Sequence, residues 1–443
     1  MSSLVAPVLA LALILAPAEG SAQAEGASLL DLYHQAIATH PSLIAQQGAL
    51  DRANARHDFA RSRLLPQAAA TLSYARNDFH GKVEQPDTYN THRHSLNLRQ
   101  ALFDVPSARQ IDAEARRVGQ SEQEFDAMRT DVASELLDRV LAVLDASEEL
   151  VVVQSEKEAV GGQRAQLHRM AERQMAKVTD RLEADARYAV LEAKEIEARN
   201  AVLTALEDLR ESTGLEVDVL NPLSATNLPP LTDDLDAWVA RGMERSPKLA
   251  AAREAIEAET RGVESARAEH LPKIALTAGK TWADSDSDSR RNEAFNVLSV
   301  GVQLNIPIYE GGRTQAGVRE ALARQLVAQA QFEQTRREIE REVRSAWLKA
   351  EGGRQRIDAS RQSVEAQELA RQAQQRGFEL GVVTVVDLLD AQHRLYRARG
   401  DHARARHDYL RELATLHRYA GALNEDDMAA FSAYFSAEPR RLR

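Results

Sequence analysis

Leu65–Tyr74 reads LPQAAATLSY and Leu271–Lys280 reads LPKIALTAGK, two versions of one phrase set 206 residues apart. The correspondence spreads outward from them. Leu29 falls on Leu235, Pro41 on Pro247, Leu43 on Leu249, Arg61 on Arg267 and Leu98 on Leu304, with no gap between Leu29 and Asp104. One residue is added near Gly311-Gly312, after which Phe125 meets Phe332, Asp180 meets Asp387, Leu182 meets Leu389 and Gly214 meets Gly421. Shared helical composition does not hold one register over so long a span, so the chain is an internal duplication.

Within each copy the apolar period changes twice. Leu29, Leu32, Tyr33, Ala36 and Ile37 repeat at helical spacing, Pro41 interrupts, and the helix resumes until Pro66 forces its predecessor out of the α region. Alternation follows. Leu72, Tyr74, Leu96 and Leu98 occupy even positions against Thr71, Ser73, Ser95, Asn97 and Arg99. In the second copy Leu276, Trp282, Leu298, Val300, Val302, Leu304 and Ile306 alternate with Lys273, Thr277, Thr281, Ser299, Gln303 and Asn305. The spacing predicts strands at about 67–79, 91–103, 273–283 and 294–308, each long enough to cross a bilayer at a tilt. Lys280 falls on the apolar parity, which predicts a place at the membrane interface beside Trp282 and Tyr74.

The helical period then returns for long runs, predicted over 107–174 and 179–213 in the first copy and over 313–377 and 384–420 in the second. The longest is about 100 Å at 1.5 Å per residue. Its returning partner is about half that length, and the helix before the strands is near the missing size. Two shorter helices stacked end to end against one long helix give a tube-like wall. The domain organisation is therefore a leader (1–24), a first repeat (25–216), a linker with Pro222 and Pro229-Pro230 (217–232), a second repeat (233–423) and a C-terminal tail (424–443) ending in a disordered basic stretch, Arg440-Arg441-Leu442-Arg443.

Composition agrees with thin walls rather than a thick core: aromatic residues are 5% of 443, and mean hydropathy is −0.43. A net charge of −11 with acids and bases interspersed argues against nucleic-acid binding. Without cysteine there is no disulfide, thiolate metal site or lipid-anchoring cysteine. Val5–Ala16 has the length of a signal-peptide core, though no Lys or Arg precedes it, and Ala22-Gln23-Ala24 offers a cleavage site. No later stretch is apolar enough for a transmembrane helix, so a membrane span has to be β. Four strands cannot enclose an open lumen, and an open edge in lipid strands backbone groups at several kcal/mol each. Several chains must pool their strands.

These features resemble the TolC-like outer-membrane efflux protein family over essentially the whole mature chain. The resemblance is carried by LLDLYHQAIATHP (Leu29–Pro41), LNIPIYEGGRTQAGVREA (Leu304–Ala321) and GFELGVVTVVDLLDAQHRLYRAR (Gly377–Arg399). It implies a mainly α fold with transmembrane β: a homotrimer whose twelve-stranded outer-membrane barrel continues into a periplasmic α-helical barrel. It also implies docking to a periplasmic adaptor (membrane fusion) protein and an inner-membrane transporter, ABC or proton-driven. The function implied is a passive exit duct with no catalytic residue and no cofactor, and ARARHDYLRELATLHRYAGAL (403–423) looks more like the type I secretion branch than the drug-efflux branch. The family's pore-constricting aspartates match Asp387 and Asp390, with Asp180 and Glu183 as first-repeat counterparts. The tyrosine and arginine of its closing latch are replaced by Phe378 and Val383.

Other readings of single motifs are plainer. Thr384 to Asp387 also spells an N-capping box. Gly311-Gly312 lacks the rest of a phosphate loop and marks a strand-to-helix bend. The Asp284–Ser289 run is read as a solvated loop, and His92, His94, His402 and His407 as surface histidines. A soluble periplasmic coiled-coil adaptor or scaffold is the alternative function; it shares the helices and has no use for apolar strand rows.

Overall fold

Capping and proline chemistry set the element boundaries. The computed structural model describes residues 28–78, 88–174, 177–224, 228–285, 294–421, 423–436 and 440–441; the leader and Asp286–Ser289 lie outside them. α1 (Leu29–Thr39) starts where the Asp31 amide donates to Ser28 Oγ at 3.1 Å and the Asp31 carboxylate accepts from the Ser28 amide at 3.3 Å. Pro41 opens α2 (Pro41–Ser62), a position where its missing N–H costs nothing. Two antiparallel strands follow, β1 (Gln67–Asp78) and β2 (Thr88–Phe103), then α3 (Val105–Glu172) and α4 (Val178–Thr213). A short β3 (Val219–Leu220) leads to the second copy: α5 (Leu235–Arg245), α6 (Pro247–Ala268), β4 (Lys273–Ser285), β5 (Phe295–Asn305), α7 (Arg313–Glu379) and α8 (Val385–Tyr419). α9 (Glu425–Ser432) and β6 (Arg440–Arg441) complete the chain.

The sheet order is β1-β2-β4-β5, antiparallel throughout, so the two hairpins join through β2 and β4. Its outer strands, β1 and β5, each keep one open edge. β5 ends at Asn305, short of the expected 308, and Ile306 lies outside it; Pro307 has no amide hydrogen with which to continue the ladder. Gly311 and Gly312, at φ +64° and +85°, then turn the chain into α7.

The 68 residues of α3 run antiparallel to both α4 and α2. α4 ends where α2 begins: Thr39 Oγ1 donates to the Thr213 carbonyl at 3.3 Å, and Gly214 takes a left-handed φ of +71° to end the helix. The second copy repeats this joint, with Gly421 at φ +69° set directly against the Arg245 carbonyl. α3 also packs along α6 of the other copy, where Arg117 reaches Glu259 at 3.2 Å and Ser265 Oγ donates to the Pro106 carbonyl at 2.9 Å.

The main core forms a belt around these joints. Leu32, Leu136, Leu141, Leu209, Trp238 and Val343 are buried there, and Leu220 and Leu223 of the linker insert among them. Trp238 Nε1 donates to the Thr232 carbonyl at 2.9 Å. The C-terminal segment departs from the expected disordered tail. Met428 and Phe431 of α9 enter the belt, β6 pairs with β3, and Arg440 meets Glu148 at 2.8 Å. Three acidic residues in the first turn of α9 and an Asn424 cap make so short a helix viable. His407 also departs from its surface reading: it is buried, with Nδ1 2.5 Å from Asp145 Oδ1.

Candidate functional site

Pairing register fixes the two faces of the sheet. Leu72 stands opposite His94 and His94 opposite Trp282; Leu98 opposite Ala278 and Ala278 opposite Val300; Leu276 opposite Val302. Even positions of all four strands therefore share one face, which collects Leu72, Tyr74, Leu96, Leu98, Leu276, Trp282, Leu298, Val300, Val302 and Leu304. That face lies open: Leu72, Leu298 and Val300 are each at least 70% exposed, and only Leu276 is half-buried among these ten. Lys280 sits in the row with its ammonium 4.7 Å from the centre of the Trp282 ring, between Leu96 and Leu298. Tyr74 is not its neighbour. It stands further out, its ring tilted against that of His92 at 4.8 Å between centres and its hydroxyl donating to Asn90 Oδ1 at 2.9 Å.

Odd positions between Gln67 and Ser73, Thr91 and Arg99, Lys273 and Thr281, and Ser299 and Asn305 are polar or small and include two glycines, Gly279 and Gly301. Thr277 Oγ1 donates to the Gly301 carbonyl at 3.3 Å and Ser299 Oγ to the Gly279 carbonyl at 3.4 Å, so side chains cross-link the strands on this face. A concavity of about 500 Å³ opens where the odd face meets the helices, lined by Gln67, Arg99, Lys273, Gln303 and Asn305 among others.

At the opposite end the helices turn. Thr384 donates from its amide at 3.2 Å and its hydroxyl at 2.5 Å to Asp387 Oδ2, and the Asp387 amide returns a bond to Thr384 Oγ1 at 3.2 Å. These bonds from Thr384 hold the Asp387 carboxyl below the usual carboxylate range. Asp387 and Asp390 are both exposed, three residues apart at the start of α8. Asp180 is half-buried and Glu183 exposed in the first turns of α4, which has no side-chain cap; no hydrogen bond or ion pair joins them to α8.

Sequence reasoning missed what lies just behind this tip. Val153, Glu156, Val160, Gln163 and Leu167 step along α3 as one buried seam, with two polar residues in core positions. Glu156 accepts from Arg187 of α4 at 3.2 Å and lies 3.2 Å from His393 Nδ1 of α8, tying three helices to one carboxylate. Below it Val160, Leu167, Ala184, Leu191, Val385 and Leu389 form a second apolar cluster. The heptad step of seven was the available signal, since it puts Glu156 on the side that must be buried.

A sequence profile described as outer membrane efflux protein matches residues 32–215 and again 238–422, once on each repeat. The chain belongs to that family. Its relatives include the proteases secretion protein PrtF of Dickeya chrysanthemi, 30% identical across 97% of this chain and 95% of that one. The outer membrane protein TolC of Vibrio cholerae is 28% identical over 92% of this chain and 93% of its own length. The alkaline protease secretion protein AprF of Pseudomonas aeruginosa is 28% identical over 92% and 87%. Among solved structures, CusC superposes with a TM-score of 0.79 over 90% of this chain and 93% of its own at 18% identity, and the outer-membrane channel OprN with 0.76 over 89% and 90% at 21%. Membership in the outer membrane efflux protein family places the chain in the outer membrane and in a family of channels rather than enzymes. Phe378 lies against the apolar tip cluster and has no hydroxyl to donate.

Proposed function

We propose that three copies of this chain close their sheets into one twelve-stranded barrel, even face to lipid and odd face to water, above a periplasmic tube of helices. The assembly is the passive exit duct of a tripartite export system, joined at its tip to a periplasmic adaptor and an inner-membrane transporter. The names of PrtF and AprF favour secreted protein as cargo. Asp387 and Asp390 would meet around the narrow mouth as six carboxylates, which attract cations and repel anions.

One observation carries this reading. Because the chain is a duplication, β4 is the second version of β1 and β5 the second version of β2, so the internal β2–β4 seam is a template for joining the open β5 edge to the β1 edge of the next copy. The template supplies a register. Asn97 faces Gly279 inside the chain, and the equivalent positions one repeat away are Gln303 and Ser73. Opposed residues in an antiparallel pair lie about 4.5–5.5 Å apart at Cα, within disulfide reach. The chain has no cysteine of its own, so Ser73→Cys with Gln303→Cys is a clean probe. Oxidation is expected to give covalent dimers and trimers, whereas Ser73→Cys with Leu304→Cys, one residue out of phase, gives none. A double variant that stays monomeric while the out-of-phase pair links would refute the closure.

A further inference from the structure

We infer that the wall of the barrel is built to carry acidic polypeptide outward. This rests on the duct reading just given, in which odd strand positions face the lumen. Among the described strand residues, no odd position holds Asp or Glu: the strands' two carboxylates, Asp78 and Asp284, are both even. In the four-stranded sheet three odd positions hold cations, namely Arg93, Arg99 and Lys273. Lys273 is satisfied by Glu269 at 2.9 Å. Arg93 and Arg99 are exposed, and neither guanidinium has an ion-pair or hydrogen-bond partner among the described residues. Arg63 lines the same concavity as Arg99, and the carboxylate there, Asp104, is spent on Ser107, accepting from its amide at 3.1 Å and its hydroxyl at 2.8 Å.

An arginine left without a carboxylate on a polar wall is positioned for a carboxylate that comes and goes. Arg99 lies six positions after Arg93 along β2, about 20 Å of strand, so three copies give two guanidinium rings separated along the axis. The mouth, with Asp387 and Asp390, has the opposite sign. The mouth and the two arginine rings therefore differ in sign, and an acidic segment pushed past the mouth is drawn toward the rings. Each contact is solvated and screened over about 8 Å at physiological salt, which keeps it weak enough for passage, as conduction requires.

The test uses the full-length trimer in planar bilayers, with poly-L-glutamate or poly-L-lysine added on the barrel side. Poly-L-glutamate is expected to interrupt the current with dwell times at least about fivefold longer than for Arg93→Gln/Arg99→Gln at 0.1 M KCl, a difference that collapses at about 1 M; poly-L-lysine gives no such blocks. The charge-preserving Arg93→Lys/Arg99→Lys variant retains the blocks and guards against a merely misassembled barrel. Equal dwell times for the wild type and the glutamine variant overturn the inference while leaving the duct intact. Block by sulfate as effective as block by poly-L-glutamate overturns the polypeptide assignment. A wild type that opens no conducting path fails the duct reading itself.

Discussion

Gly214 and Gly421 hold equivalent places in the two copies, and the structure predicts unequal consequences for the same substitution. Both have left-handed φ, +71° and +69°, so an alanine at either costs about 1–2 kcal/mol in backbone strain. Around Gly214 an added Cβ would find its nearest neighbour, Thr39 Oγ1, at 4.0 Å, and no further cost follows. Around Gly421 it would overlap the Arg245 carbonyl and stand 3.0 Å from the Ser246 amide nitrogen. Those are backbone atoms at the α5–α6 joint, so relief requires moving a helix end, which adds about 1–3 kcal/mol. Gly421→Ala is thus expected to destabilise by about 2–5 kcal/mol and Gly214→Ala by about 1–2 kcal/mol. Urea unfolding in detergent at matched protomer concentration would read the difference through buried Trp238, which lies in the same belt. Equal midpoints for the two variants would refute the argument that the second joint is the tighter one.

On the sheet, Val302→Arg should lower the yield of heat-resistant oligomer sharply, at a cost of about 2–4 kcal/mol near the midplane, and Gln303→Arg should leave it almost unchanged; matching yields would remove the assignment of faces. Asp387→Asn with Asp390→Asn should reduce cation selectivity, read as a shift of reversal potential in a salt gradient, and an unmoved potential would discard the acidic mouth. Glu156→Ala leaves Arg187 without its carboxylate at a buried site, a loss of about 1–3 kcal/mol, and amide exchange should quicken in 178–191 and 385–393 but not in the belt. Tyr409 is buried, donates to the Pro229 carbonyl at 2.7 Å, and burial pushes its phenol up to about 12. Its folded value lies above the unfolded one of about 10, so its contribution is complete below pH 10 and is lost as the pH climbs toward 12; burial also raises Tyr33, Tyr396 and Tyr419, so titration at 295 nm should show several late tyrosines in the wild type and lose the latest of them in Tyr409→Phe.

The parts of this architecture written as period were legible in the sequence. Strand alternation put the even positions on one shared face, because a pleat leaves no freedom about which residues share a face. Pro41 marked the break between α1 and α2, and Gly311-Gly312 the strand-to-helix bend, for the same kind of reason. The parts that depend on tertiary docking were not legible. Eight residues of α9 carry too few apolar side chains to announce a helix, and they fold because Met428 and Phe431 find the belt ready. His407 reads as one more histidine on a charged helix until Asp145 of α3, 262 residues away, arrives beside it. At the tip, Asp387 reads both as a cap and as a lining carboxylate, and its hydrogen bonds with Thr384 leave one face of the group in water.

The pairing of β2 with β4 has a consequence for biogenesis. Thr91 faces Ser285 across that seam, so about two hundred residues must be synthesised and exported between one side of a hydrogen-bonded ladder and the other. Until they arrive, the first hairpin is a greasy ribbon adrift in an aqueous compartment, with a bare flank that any passing strand could take. Closing so large a loop is slow, and the delay makes nascent chains of this kind natural clients for holding factors that shield hairpins in transit. The duplication offsets some of that delay: by tying hairpins together two at a time, it halves the number of bodies that have to find one another.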